Sequence, residues 1–255
     1  MESLVTTCLH LYLPRGRHTI ISHNISLFQN IISEKITAGT MFIFNAPTTM
    51  SISGTTGSGK TTWVLKLMQH SSQMFSLKPQ KILYCYGIWQ ELFNTMEKIL
   101  PNIIFHEGLP TSNTIKDFAD NKHNIIILDD LMSDCVKNKD VELLFTRGAH
   151  HMNLTILYLN QNMFCQGKHA RNIALNCHYM VLFQNLRDSS QINKLGQQIF
   201  PGESWVIMKA YKDCLQKEYG YLVVDVSPNT KQIFRLRTQV FPGEATIIFS
   251  PHGSE

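Results

Sequence analysis

The segment Gly54-Thr55-Thr56-Gly57-Ser58-Gly59-Lys60-Thr61 limits what this chain can fold into more than any other, because it fits the pattern G-x-x-x-x-G-K-[ST]. An apolar run, Thr49 to Ser53, precedes it, and Thr61 to His70 follows with helical spacing. A strand, a glycine loop and a helix in that order form an anion cradle: glycines let backbone N–H groups turn inward, and the helix directs its positive end to the same point. Lys60 adds a point charge for the β- and γ-phosphates of ATP, and the Thr61 hydroxyl is a magnesium ligand. The loop residues Gly54, Thr55, Thr56, Gly57, Ser58 and Gly59, with Thr62 on the first helical turn, complete the candidate nucleotide site.

A second run, Ile125-Ile126-Ile127-Leu128-Asp129-Asp130, lies about seventy residues on. Four consecutive large aliphatic residues suit a strand buried on both faces, and two acids end it. Asp129, at the carboxyl end, is placed to hold the magnesium through its water shell. Asp130 is the candidate for polarising an attacking water. A strand ending in acids is common by itself; only beside the glycine loop does it read as part of the same site.

Other strand candidates are Ile82 to Tyr86, Thr155 to Leu159 and Tyr179 to Phe183. They alternate with helical patterns at Ile88 to Leu100, Asp140 to Arg147 and Ser189 to Phe200. That alternation predicts a mostly parallel sheet covered by helices. From Ser204 the pattern shifts to Trp205 to Lys209, Tyr219 to Val226 and Gln232 to Thr238, which read as antiparallel strands. The expected division is an N-terminal extension over 1–39, an ATPase core over 40–203, and C-terminal strands over 204–255 that complete the same domain. Ile25, Leu27, Phe28, Ile31 and Ile32 give the extension a helical pattern.

Gly148 is suitably placed to end the helix carrying Arg147. His150 and His151 then fill the turn before the next strand. That strand delivers Asn160 and Gln161 at its carboxyl end, beside the expected γ-phosphate. An amide there can hydrogen-bond the phosphate and the attacking water without adding charge, so Gln161 is the candidate sensor. From spacing alone, Arg147 is a solvated helix-terminal arginine.

Composition excludes several classes. Of 255 residues, 44% are hydrophobic and 16% charged, which suits a globular chain rather than a disordered one. No run approaches the eighteen or so apolar residues of a membrane span. The N-terminus has Glu2 where a secretory leader would be basic, so secretion is not expected. Six scattered cysteines without a C-x-x-C pair suit reduced thiols in an intracellular compartment. Cys165, His169, Cys177 and His178 lack the knuckle spacing of a zinc site, and Tyr84, Tyr86 and Trp89 read as core or rim aromatics, the alternative being an aromatic beside the adenine. A net charge of +4 permits contact with a polyanion without implying it.

The ordered set GTTGSGKTT, IIILDDL, TRGAHHMNLTILYLNQN and FQNLRDSSQINKL resembles the FtsK/HerA superfamily of DNA-pumping ATPases. Within it, the chain is most similar to the genome-packaging ATPases of Polinton-type elements and adintoviruses, relatives of the poxvirus packaging ATPase. The likeness runs from Pro47 to Pro242. It implies an α/β fold of the P-loop NTPase kind, RecA/ASCE-like: a three-layer sandwich with a mostly parallel central sheet and C-terminal antiparallel strands. It also implies that Lys60 and Thr61 serve nucleotide and magnesium, Asp129 and Asp130 are the acid pair, Gln161 the sensor, and Arg147 a finger reaching a neighbour's nucleotide. Arg187 is a second finger candidate. One departure is Asp130, where many members of the wider superfamily carry Glu.

The resemblance further implies a homo-oligomeric ring, a hexamer being favoured, that threads double-stranded DNA, with capsid or portal components as possible partners and the host nucleus or cytoplasm as the place of action. Lys168, His169, Arg171, Lys209, Lys212, Lys231, Arg235 and Arg237 are the basic residues that can contribute to DNA contact. The expected function is an ATP-driven translocase that packages a viral or Polinton-like genome into capsids. The alternatives are an ATP-binding switch or assembly scaffold, and a related DNA pump or helicase with no part in packaging.

Overall fold

A run such as Ile125 to Leu128 can be buried on both sides only in a sheet that carries helices on each face. The computed structural model, which describes residues 42–135, 138–163, 169–185 and 189–250, has that arrangement. The extension over 1–39 with its expected helix, and Cys165, Lys168 and Arg187, lie outside the described residues.

Among the described residues, nine strands form one sheet: β1 (Thr49–Ser53), β2 (Ile82–Tyr86), β3 (Ile103–Glu107), β4 (Asn124–Asp129), β5 (Leu154–Asn160), β6 (Tyr179–Phe183), β7 (Tyr221–Asp225), β8 (Leu236–Thr238) and β9 (Ile247–Phe249). Their order across the sheet is β3-β2-β4-β5-β1-β6-β7-β8-β9. The strands from β3 to β6 in that order pair in parallel. The last three are added antiparallel. All residues of β1, β4, β5 and β6 are buried, as central strands require.

The helices that cover the sheet include α1 (Lys60–Gln69), α2 (Glu91–Ile99), α3 (Ser112–Phe118), α4 (Lys139–Leu143, continuing to His151), α5 (Ala170–Leu175), α6 (Ser189–Ile199) and α7 (Trp205–Cys214). On one face, Trp63, Val64 and Leu67 of α1 and Phe93 and Met96 of α2 pack over Met50, Ile52, Ile127 and Leu159. On the other, α3 to α5 cover β2, β4 and β5, and α6 and α7 cover β6 and β7. Each large aliphatic side chain fully buried this way contributes about 1.5–3 kcal/mol. Between the two clusters of the second face runs a polar seam along β1. There Thr49 donates to Asn176 O and meets His178 Nδ1, and Ser51 Oγ accepts from Asn160 Nδ2 at 3.0 Å.

Three local expectations are corrected. Trp205 to Lys209, read as a strand, belongs to α7, whose buried residues Val206, Ile207, Ala210, Tyr211 and Cys214 recur at helical spacing; a window of five residues was too short to show that period. Gln232 to Phe234 forms a single 3-10 turn, so the strand there shrinks to Leu236–Thr238. Gly148 does not end its helix. Leu144–Gly148 is a π turn and the chain stays helical through Ala149–His151, so the two histidines close the helix.

Candidate functional site

Sheet order sets the geometry of the site. Strand β5 lies between β1 and β4, and the register pairs Asp129 with Leu159 and Asn160 with Ser53. The carboxyl ends of β4, β5 and β1 are therefore level. The glycine loop and the acid pair stand two strand spacings apart, about 10 Å. Ile125 and Ile127, which precede Asp129 with period two, belong to the cluster under α1, so Asp129 shares the sheet face from which the first turn of α1 rises.

The loop itself is tightly built. Gly54 N donates to Asn160 O and Thr55 N to Gln184 O, both at 3.2 Å, which ties the loop to the ends of β5 and β6. A Cβ on Gly54 would stand 2.6 Å from Phe183 Cβ and 2.8 Å from Ser58 Oγ, so no side chain fits there. Gly57 and Gly59 have φ of 77° and 99°, a region that glycine enters without strain. Thr55, Thr56, Gly57 and Thr62 are exposed on the rim, and Ser58 Oγ is buried without a hydrogen-bond partner. Lys60 Nζ donates to Gly54 O at 2.7 Å and Thr55 O at 3.0 Å, spanning the loop mouth.

Lys60 and the acids are electrostatically coupled. Burial pushes the Lys60 ammonium below its ordinary value, and the charges of Asp129 and then Asp130 oppose that shift. Burial pushes the Asp129 carboxyl up, opposed by the hydrogen bond from Tyr84 and by Lys60. Only 5% of Asp129 is exposed. Its Oδ2 accepts from the Tyr84 hydroxyl at 2.6 Å, a short charge-assisted bond. Burial, then the Asp129 charge, push Tyr84 well above the ordinary tyrosine value. Tyr84 therefore donates to the acid.

Asp130, next in sequence, is exposed and has φ of 56°, a left-handed conformation rare for a residue with a side chain. Gly87 makes that turn possible. Its N donates to Asp129 O at 3.2 Å, and a Cβ on it would stand 2.9 Å from Asp130 O. Gln161 is exposed just beyond β5, and its carbonyl accepts from Asn185 Nδ2 at 3.1 Å. Asn185 is in turn held by Tyr211, whose hydroxyl accepts from Asn185 N and donates to Phe183 O. Arg147 lies on the π turn that follows α4.

The structure thus brings Gly54 to Thr62, Asp129, Asp130 and Gln161 to one end of adjacent strands. Tyr84, Gly87, Asn160 and Asn185 join them; of these only Asn160 was placed at the site from the sequence, as the residue before Gln161. Tyr84 was assigned to the core, where its ring does lie. Its hydroxyl reaches Asp129 only because β2 pairs with β4, which places Tyr84 opposite Ile127. The basic residues divide differently from the expectation. Arg237, 9% exposed, is bound to Asp225 and lies over the Phe42 ring; Arg235 donates to Asp225 O and Ser227 O; His169 pairs with Glu142. These three make local contacts within the fold. His178 and Cys177 likewise have local partners, Thr49 and Ile173 O.

The residues fit a magnesium triphosphate. The loop offers backbone N–H groups, an unpartnered buried hydroxyl and one lysine. The metal-side donors, the Thr61 hydroxyl and the Asp129 carboxylate, are hard oxygens of the kind magnesium prefers. A strand, phosphate loop and helix within a parallel sheet of this order make the fold that of a P-loop NTPase, RecA/ASCE-like, with three antiparallel strands added at its C-terminal edge.

No protein-family model matches the sequence, and no curated protein is significantly similar to it. Among solved structures, the chain is similar to the genome packaging NTPase B204 of Sulfolobus turreted icosahedral virus 2. Its complex with sulfate matches at 12% identity and a TM-score of 0.49, over 72% of this chain and 93% of that one. Its complex with AMPPCP matches at 13% identity and a TM-score of 0.47, over 72% and 94%. The KaiC-like protein PH0186 of Pyrococcus horikoshii OT3 matches at 12% identity and a TM-score of 0.41, over 81% and 91%. Likenesses at this level carry no functional assignment. Among the described residues no helix is long and apolar enough to cross a membrane.

Proposed function

We propose that this chain is an ATPase that drives double-stranded DNA into viral or Polinton-like capsids. The observation that carries the ATPase part is the level alignment of the carboxyl ends of β1, β4 and β5, with Asp129 within electrostatic reach of Lys60 on the helix that follows the loop. The DNA part rests on the sequence likeness over Pro47 to Pro242.

In this reading the loop N–H groups and Lys60 bind and orient the triphosphate, and the Thr61 hydroxyl and Asp129 hold magnesium. The metal, when bound, neutralises charge on the β- and γ-phosphates. Tyr84 fixes the Asp129 carboxylate. Asp130, set apart from the buried acid by its left-handed backbone, polarises the attacking water, and the exposed Gln161 orients that water against the γ-phosphate. Arg147 of a neighbouring copy supplies charge to the phosphoryl-transfer transition state, an effect worth about three to five orders of magnitude in rate in enzymes that use one.

ATP titration and turnover measured with and without duplex DNA test the proposal. Lys60→Ala is expected to abolish nucleotide binding. Asp130→Asn is expected to bind ATP yet lose at least about a hundredfold in turnover, as the loss of a general base does. Normal turnover by Asp130→Asn removes it from the mechanism. Slow turnover by a monomer, indifferent to DNA, would replace the motor with an ATP-binding switch.

A further inference from the structure

We infer that the cavity beside Tyr219 takes the nucleoside end of the nucleotide, with the tyrosine ring stacked on a purine base. This rests on the phosphate-binding reading of the Gly54 to Thr62 loop and adds the part of the ligand that the loop does not address.

Three observations meet there. Tyr219 is 62% exposed, and its ring lies over the loop glycine that precedes Lys60: a Cβ on Gly59 would stand 3.1 Å from Tyr219 Cδ1. A large aromatic side chain is thus held at the edge of the phosphate cradle with much of its surface open to solvent. The turn that presents it is locked. Tyr219 has φ of 53°, and Gly220 has no room for a side chain, since a Cβ there would meet Cys214 O at 2.0 Å. A tyrosine in left-handed backbone is strained, and it persists here because the end of α7 and the start of β7 leave the chain no other path.

From Tyr219 a cavity of about 480 Å³ opens, lined by Asp213, Glu218, Tyr221, Gln239, Glu244 and Phe249 among others. Its size is that of a small-molecule site. Its lining joins the exposed ring of Tyr219 and the apolar Ile247 and Phe249 to the carboxyl groups of Asp213, Glu218 and Glu244, the amide of Gln239 and the amine of Lys217. Glu244 is fixed in place, bonded to Lys66 Nζ at 2.5 Å and accepting from Phe241 N at 3.3 Å. Stacking surface beside hydrogen-bond acceptors suits a flat heterocycle carrying an exocyclic amine, together with ribose hydroxyls. Tyr219 is the residue that the cavity and the edge of the loop share.

The test compares calorimetric titrations of a non-hydrolysable ATP analogue and of inorganic tripolyphosphate, each with magnesium, against wild type, Tyr219→Ala and Tyr219→Phe. The expected result is a loss of about tenfold or more in analogue affinity for Tyr219→Ala, in the range of a lost base-stacking contact. Tripolyphosphate affinity is expected to be unchanged, and Tyr219→Phe to bind as wild type. Unchanged analogue affinity in Tyr219→Ala overturns the inference. So does a parallel loss of both ligands, which would mean that the ring only supports Gly59. A wild-type protein that takes up neither ligand defeats the phosphate reading itself, whereas one that binds tripolyphosphate as tightly as the analogue keeps that reading and ends this one.

Discussion

Asp129 shows how the chemistry of one acid at a strand end depends on a neighbour. The carboxylate is buried, and burial alone would favour its neutral form. The Tyr84 hydroxyl and the Lys60 charge counter that tendency. Tyr84→Phe removes one donor and leaves the ring. It is expected to raise the magnesium concentration needed for half-maximal ATPase activity by about tenfold, as losing a group that orients a metal ligand does; an unchanged magnesium dependence would leave Tyr84 as a packing residue only. A second buried polar group affects stability instead. His123 Nε2 lies 2.8 Å from Thr155 Oγ1, and burial holds its imidazole below the ordinary 6.5. The unfolded chain takes up this proton as pH falls through 6.5 while the folded chain resists it, so stability declines below that pH toward the folded value. His123→Gln is expected to flatten the fall in denaturation midpoint between about pH 7 and about pH 5 relative to wild type.

Among the elements, central strands and the phosphate-loop helix were legible because each is long enough to show its period or is bounded by glycine. α7 was not. Its first five residues, Trp205 to Lys209, contain four apolar residues in a row, and only Ala210, Tyr211 and Cys214 complete the helical face. Strand β3 escaped notice because it lies at the sheet edge, with Ile104 exposed and His106 and Glu107 diluting its apolar pattern. The α6 and α7 pair meets at Gly196, where a Cβ would stand 2.4 Å from Ile207 Cγ2 and 2.9 Å from Ser204 O. Gly196→Ala is therefore expected to destabilise the chain by about 1–3 kcal/mol in chemical denaturation, the usual cost of overpacking. A neutral result would mean that the two helices separate without penalty.

At the scale of the whole molecule, the proposed motor needs more than one copy. Arg147 lies on a π turn, a helical irregularity frequent at functional sites. If it completes a neighbour's site, Arg147→Ala mixed in equal amount with wild type is expected to leave well under half of the wild-type ATPase activity, because variant subunits disable their partners. Activity of one half would indicate independent subunits and exclude the trans role.

By itself the sequence settled the phosphate cradle, the acid-ended strand and the α/β class, since each is written in contiguous residues whose spacing maps directly onto backbone geometry. Tertiary structure alone decided that β5 separates β1 from β4, that Tyr84 serves Asp129, and that Tyr219 lies over Gly59. Those relations join residues between 45 and 160 positions apart along the chain (84 and 129, 59 and 219), and strand pairing across such distances depends on how the whole core packs, which no local period encodes.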